Sequence, residues 1–233
     1  MLKNLLFSII FFSGIFFISI IFLPSFFLPK SFVLAGGKLM GYWTGFCLRV
    51  LLSVNIKVLG KENIIKHKKF FIAASHQSMF ETFYLQTIFN SPVFILKKEL
   101  TYIPIFGWYL KKIGSISIKR GKNSRDNLNF FNEIKKNLED AKRPLIIFPQ
   151  GTRLEPGERL PFKKGVARIY DELKICCQPV AINSGYVWPK KGPKITNKQI
   201  TVSIMPSIDY GAEKNDFLKN LQKQIYAELD RIS

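Results

Sequence analysis

The stretch FFIAASHQSMFETF, residues 70–83, decides the architecture. Phe70 to Ser75 is a short, bounded apolar run of the kind that fills a strand buried on both faces. Ser78-Met79-Phe80-Glu81 then has the S-x-x-E pattern of a capping box that opens a helix. A strand running through a short polar turn into a helix is the repeating unit of an α/β domain. His76 stands in that turn, and side chains at the carboxyl ends of such strands face the crevice where ligands bind. Two readings of Glu81 stay open on these residues alone. It is either a cap that satisfies orphan backbone N–H groups or the partner of His76 in acid–base chemistry.

The same alternation continues outward from this stretch. Strands are expected at Ile56 to Leu59, Phe70 to Ser75, Val93 to Leu96, Ser115 to Ile118, Leu145 to Phe148, Pro179 to Asn183 and Ile200 to Met205. Helical patterns fall at Ser124 to Asp140, Lys164 to Leu173 and Glu213 to Ile232. The expected fold class is therefore α/β, with a largely parallel central sheet flanked by helices. No internal repeat or low-complexity linker divides it.

With 47% hydrophobic and 22% charged residues, the 233-residue chain is suited to a sizeable core and not to disorder. Its net charge of +19 seeks anions, whether nucleic acid, phosphate-bearing substrates or an anionic bilayer surface. Cys47, Cys176 and Cys177 are an odd count without C-x-x-C spacing, which supports neither a disulfide framework nor a zinc site. With His67 the only histidine besides His76, no metal site is expected.

The first thirty residues choose among the anionic partners. Asn4 to Pro29 carries no charge, and Leu5 to Leu23 is nearly unbroken Leu, Ile and Phe, close to the roughly 20 residues that span a bilayer. A cleaved signal peptide is the alternative, with Lys3 as its basic start and Val33-Leu34-Ala35 as a cleavage-like tripeptide. The apolar run is too long for that role, however, and Pro24, Pro29 and Lys30 separate it from the tripeptide. A retained anchor is the preferred reading. Lys38, Arg49, Lys57, Lys61 and further lysines follow it, so the body of the protein is expected on the cytoplasmic side, the inner membrane in a bacterium. Residues 31–54, apolar with Tyr42 and Trp43 suited to the headgroup level, read either as an interfacial helix or as a buried core helix. The expected division is 1–54, membrane anchor and interfacial helices, and 55–233, the α/β domain.

Three further strand ends carry cations. In residues 145–173 a buried strand stops at Pro149, and Gly151-Thr152-Arg153 supply a close-approach backbone, a hydroxyl and a guanidinium, the parts that grip a phosphate. Lys163 and Lys164 stand at the start of the next helix, where cations oppose the dipole unless an anion lies between them and the free N–H groups. Lys119 and Arg120 close one strand, and Lys97 and Lys98 another. A solvated basic surface is the plainer account of each taken singly.

Four blocks, SHQSMFE (75–81), GSISIKR (114–120), FPQGTR (148–153) and QPVAINSG (178–185), occur in that order. Together they resemble the glycerolipid acyltransferases, the family typified by 1-acylglycerol-3-phosphate acyltransferase. That family carries an N-H-x-x-x-x-D block, a second block ending in Arg, an F-P-E-G-T-R block and a later apolar block with proline. The resemblance implies membrane association and transfer of a fatty acyl group from acyl-CoA or acyl carrier protein to the sn-2 hydroxyl of lysophosphatidic acid, giving phosphatidic acid. It implies no cofactor. No nucleic-acid partner is expected, because the basic residues cluster at strand ends beside His76 and Glu81 and the aromatics are mostly Phe in the N-terminal apolar segment and not a stacking platform. Carried over by position, His76 is the general base and Glu81 its partner. Lys97, Arg120 and Arg153 hold the acceptor phosphate, and Gln150, Gly151 and Thr152 complete the acceptor loop. Two positions depart from the pattern: Glu81 stands for the aspartate, and Gln150 for the glutamate of F-P-E-G-T-R, losing a charge. Gln150 keeps open a different lysolipid acceptor, such as a lyso-ornithine lipid. A non-enzymatic basic membrane-binding protein is the remoter alternative.

Overall fold

A computed structural model describes residues 2–103, 105–118, 130–140 and 143–233. Seven strands, β1 (Asn55–Leu59), β2 (Phe70–Ala74), β3 (Val93–Lys97), β4 (Ile116–Ile118), β5 (Leu145–Ile147), β6 (Cys176–Ile182) and β7 (Gln199–Ile204), form one sheet in the order β1-β7-β6-β2-β5-β3-β4. Among the described residues five of the six strand pairings are parallel and only β6 with β7 is antiparallel. The sheet is thus largely parallel, as the strand-helix alternation predicts, with β7 and β1 reversed at one side.

The expected strands all lie on observed ones, with one clear difference. β6 begins at Cys176, ahead of the expected Pro179, because Cys176, Cys177 and Gln178 pair with Phe70, Phe71 and Ile72. Pro179 is tolerated within this central strand because its carbonyl side faces β7 just beyond their ladder, where Met205 N–H donates to Pro179 O at 3.1 Å.

β2 shows why its sequence is apolar throughout. Ile72 and Ala74 pack on one face of the sheet, Phe71 and Ala73 on the other, and all four are fully buried. One face is covered by α1 (Leu2–Ile21), α2 (Lys30–Leu52) and α3 (Phe80–Ile88), the other by α5 (Phe130–Asp140), α6 (Gly165–Leu173) and α7 (Lys214–Ile232). The short α4 (Phe106–Lys112) packs beside the turn that follows β3. The expected helix over Ser124 to Asp140 is seen from Phe130, and its first six residues lie outside the described ones. Helix α7 is capped by Glu213, whose carboxylate accepts from the N–H groups of Asn215 at 2.6 Å and Asp216 at 3.2 Å.

Helix α1 is long and apolar enough to cross a membrane, and 17% of its apolar window is buried. Leu5, Ile9, Phe12, Phe16 and Ile20 are exposed on it, which is not how the core helix of a water-soluble domain looks. Phe7 and Phe11 form its buried stripe and meet Trp188 edge-on at 5.3 and 5.1 Å. Asn4 clasps the backbone of Lys194, donating to its carbonyl at 2.9 Å and accepting its N–H at 2.7 Å. Helix α2 contributes Cys47, Leu48 and Leu52 to the same core and ends at Ser53, in the left-handed conformation (φ 53°). The two N-terminal helices therefore share the core of the sheet's first face and do not stand apart from it.

Candidate active site

The strand order collects chemistry at one edge. Parallel strands β6, β2, β5, β3 and β4 lie side by side, so Ser184, His76, the 148–153 loop and Lys97 all follow the carboxyl ends of neighbouring strands. Lys97 pairs in register with Ile118, two residues before Arg120, while Arg120 itself lies outside the described residues.

At the centre, His76 Nδ1 lies 3.3 Å from Glu81 Oε2. Glu81 is fully buried, whereas the His76 side chain is 16% exposed. A buried carboxylate needs donors on both oxygens. Glu81 Oε2 accepts from Ser78 N–H at 3.0 Å, and Oε1 from the N–H groups of Gln77 and Ser78, each at 3.3 Å. Ser184 Oγ also donates to Oε1. The position of Glu81 in the first turn of α3 adds the favourable end of the helix dipole.

The capping reading and the dyad reading both describe Glu81. Its bond from Ser78 N–H is the return half of a capping box, but the other half differs: Ser78 Oγ accepts from Phe80 N–H at 2.9 Å and not from Glu81 N–H. One carboxylate thus closes the helix start and faces the imidazole. With Nδ1 turned to Glu81, Nε2 is the ring nitrogen left for a reacting group.

Neighbouring loops fix the imidazole from two more sides. Phe148, at the end of β5, stacks on the ring with centroids 4.1 Å apart and planes 18° off parallel. Leu154 N–H donates to His76 O at 2.9 Å, tying the Gly-Thr-Arg loop to the histidine's own backbone. That loop turns at Phe148-Pro149-Gln150-Gly151, closed by Gly151 N–H to Phe148 O at 2.9 Å, with Gly151 at φ 72°. A side chain there would be strained, and its Cβ would press Lys163 Cγ at 3.3 Å. Lys163 therefore lies across the turn, and its N–H bonds Pro149 O at 2.8 Å.

Arg153, partly buried, and Lys97, exposed, have no hydrogen-bond or ion-pair partner among the described residues, and Thr152 is exposed. Unpaired cations at a strand edge are suited to receive an anion. Gln150 behaves otherwise. Its side chain is 1% exposed and its Oε1 has no hydrogen-bond partner among the described residues; it neighbours Tyr226 of α7, whose hydroxyl pKa burial raises and which donates to Leu160 O at 2.5 Å. The reading of Gln150 as an acceptor contact thus meets a side chain turned into the protein.

Three contacts were not legible in the sequence: Ser184 on Glu81, Phe148 on His76, and Lys163 across Gly151. Ser184 belongs to the QPVAINSG block, but nothing in a serine-glycine pair signals a carboxylate partner 103 residues away. Lys163 carried the one usable signal, a cation placed against a helix dipole.

Comparison with known proteins bears on the family and the fold. The Acyltransferase family model matches residues 55–183. Among similar proteins, 1-acyl-sn-glycerol-3-phosphate acyltransferase of Saccharomyces cerevisiae is 34% identical over 169 residues, covering 68% of this chain and 55% of that protein. The Pseudomonas aeruginosa protein of the same name is 35% identical over 155 residues (64% and 59%), and the Helicobacter pylori one 30% over 185 residues (78% and 76%). The chain thus matches little more than half the length of the first two. In fold it is similar to the crystal structure of the 1-acyl-sn-glycerophosphate acyltransferase PlsC from Thermotoga maritima. The TM-score is 0.78 at 23% identity, with 99% of this chain and 96% of that one covered.

Proposed function

The chain belongs to the Acyltransferase family, and from that premise we propose that it transfers a fatty acyl group from acyl-CoA or acyl carrier protein to the sn-2 hydroxyl of 1-acylglycerol-3-phosphate, making phosphatidic acid. The observation that carries this reading is the buried Glu81 carboxylate 3.3 Å from His76 Nδ1, at the strand edge where Arg153 has no partner among the described residues. His76 Nε2 takes the proton of the acceptor hydroxyl as its oxygen attacks the thioester carbonyl. The new C–O bond forms, the C–S bond breaks, and the imidazolium returns its proton to the departing thiolate. Glu81 holds the ring in the tautomer with Nδ1–H and balances its positive charge. Arg153, Lys97 and Arg120 hold the acceptor phosphate, and the Gly151-Thr152 turn shapes their loop. Lysophosphatidic acid is preferred over a phosphate-free lysolipid because the charge lost at Gln150 falls inside the protein, against Tyr226.

The test is a labelled-acyl assay of the purified protein in detergent, with lysophosphatidic acid, other lysolipids and both donor types. Phosphatidic acid as the principal product supports the reading, and turnover of a phosphate-free acceptor alone overturns it. Arg153→Ala raises the acceptor KM by about 10- to 100-fold and leaves the donor KM nearly unchanged, from loss of one charge-assisted contact of about 1.5–3 kcal/mol. Equal effects on both substrates place Arg153 on the donor or in the loop instead.

Residues 1–54 serve in this reading as the membrane-associating part and 55–233 as the catalytic part, on the cytoplasmic face. The full-length protein accordingly fractionates with membranes and stays there in high salt, because salt screens the basic surface and leaves apolar insertion intact. Release by salt alone, read by immunoblot of the wash, removes the anchor role of α1.

A further inference from the structure

We propose that Ser184 is a positioning residue for the acyl transfer: by donating its hydroxyl to Glu81 Oε1 it holds the carboxylate so that Oε2 is presented to His76 Nδ1. The inference rests on reading His76 and Glu81 as the acid–base pair, and adds a residue that the helix-capping geometry does not require.

The division of labour between the two carboxylate oxygens carries it. Oε2 serves His76, Ser78 N–H and, at 3.5 Å, the Ser78 hydroxyl. Oε1 has two backbone donors, both at 3.3 Å, which is long for an N–H to a carboxylate. The Ser184 hydroxyl is the closest contact on Oε1. With it removed, Oε1 keeps only those long bonds and the Ser78 N–H on Oε2 becomes the main backbone restraint on the carboxylate's terminal torsion, which is broad and weakly restrained by itself. Rotation carries Oε2 off Nδ1 while leaving a Ser78 N–H bond available to either oxygen.

Ser184 is itself placed by the fold and not by the dyad. Ser75 Oγ accepts from Ile182 N–H at 2.7 Å, extending the β2–β6 pairing past the end of β2 and fixing the chain two residues before Ser184. On the other flank Gly185 N–H donates to Gln77 Oε1 at 3.0 Å. A Cβ at Gly185 would lie 3.0 Å from Gln77 Cβ and 3.1 Å from Pro156 Cγ, so the backbone there is enclosed. Ser184 is fully buried.

A purely structural hydroxyl would stabilise the fold without selecting between kcat and KM. The test therefore compares full-length Ser184→Ala, Ser184→Thr, Glu81→Gln and the double variant Ser184→Ala/Glu81→Gln in detergent micelles, with lysophosphatidic acid and acyl-CoA. Ser184→Ala is expected to lower kcat about 10-fold with both KM values nearly unchanged, and Ser184→Thr to restore most of it. In the Glu81→Gln background the further change to Ala is expected to have little effect, because the group it positions is already altered. Parental kcat in Ser184→Ala beside an impaired Glu81→Gln overturns the positioning role and leaves the dyad standing. The same loss in both backgrounds overturns it too, as a fold effect. Parental kcat in Glu81→Gln removes the dyad reading and this proposal with it. If Ser184→Ala does not fold, Ser184→Cys, close in shape with a far weaker donor, carries the same comparison.

Discussion

His76→Ala lowers kcat by about 10²- to 10⁴-fold, the range in which one positioned general base contributes. The acceptor hydroxyl is a weak nucleophile at neutral pH, and its proton has to leave as the new C–O bond forms. Among the described residues His76 is the one imidazole at the carboxyl edge of the parallel strands, with Nδ1 engaged by a carboxylate and Nε2 left over. Folding is little affected: the side chain loses its stack on Phe148 and its Nδ1 contact with Glu81, but Glu81 keeps its donors from Gln77, Ser78 and Ser184, and the His76 backbone keeps its bond from Leu154 N–H. KM for either substrate changes little, because the ring acts on the proton and does not hold the phosphate. The check is kcat from labelled product formation beside a thermal melt. A variant that melts like the parent and turns over within a few-fold of it removes His76 from the reaction.

How far the sequence reveals this site depends on the distance over which each contact is made. The β2–turn–α3 unit is legible because its signals are local: an apolar run, a polar turn and an S-x-x-E pattern within fourteen residues. The same holds for the Phe148–Gly151 turn, whose proline and left-handed glycine announce themselves. Reversal of β7 is not legible, since an apolar run has no direction until its neighbour is known. Nor is the share of α1 in the sheet's core, because Phe7 and Phe11 look like the lipid-facing phenylalanines around them until Trp188 is brought against them. Gln150 is the instructive case: the motif places it in the acceptor loop, and the register of that loop turns its side chain toward α7 instead. A motif position thus identifies a loop more reliably than it identifies which way each side chain in the loop points.

Glu81→Gln separates the two roles that one carboxylate combines. As a cap, Glu81 accepts from Ser78 N–H, and a glutamine carbonyl accepts as well, so the start of α3 and the melting temperature stay close to the parent. As the partner of His76 it does what glutamine cannot. Loss of the negative charge leaves the forming imidazolium without its counter-charge beside a buried site. The amide also offers His76 an N–H in place of an acceptor, which favours the tautomer with its proton on Nε2, the nitrogen that must be free to take one. The expected result is a fall in kcat of about 10²- to 10⁴-fold at nearly unchanged stability. The double variant His76→Ala/Glu81→Gln falls hardly further than the worse single one, because the two residues act as a unit. Additive losses argue for separate roles. Near-parental turnover by Glu81→Gln returns Glu81 to helix capping alone and leaves His76 to work unassisted, whereas a deep loss with an intact fold requires the charge itself.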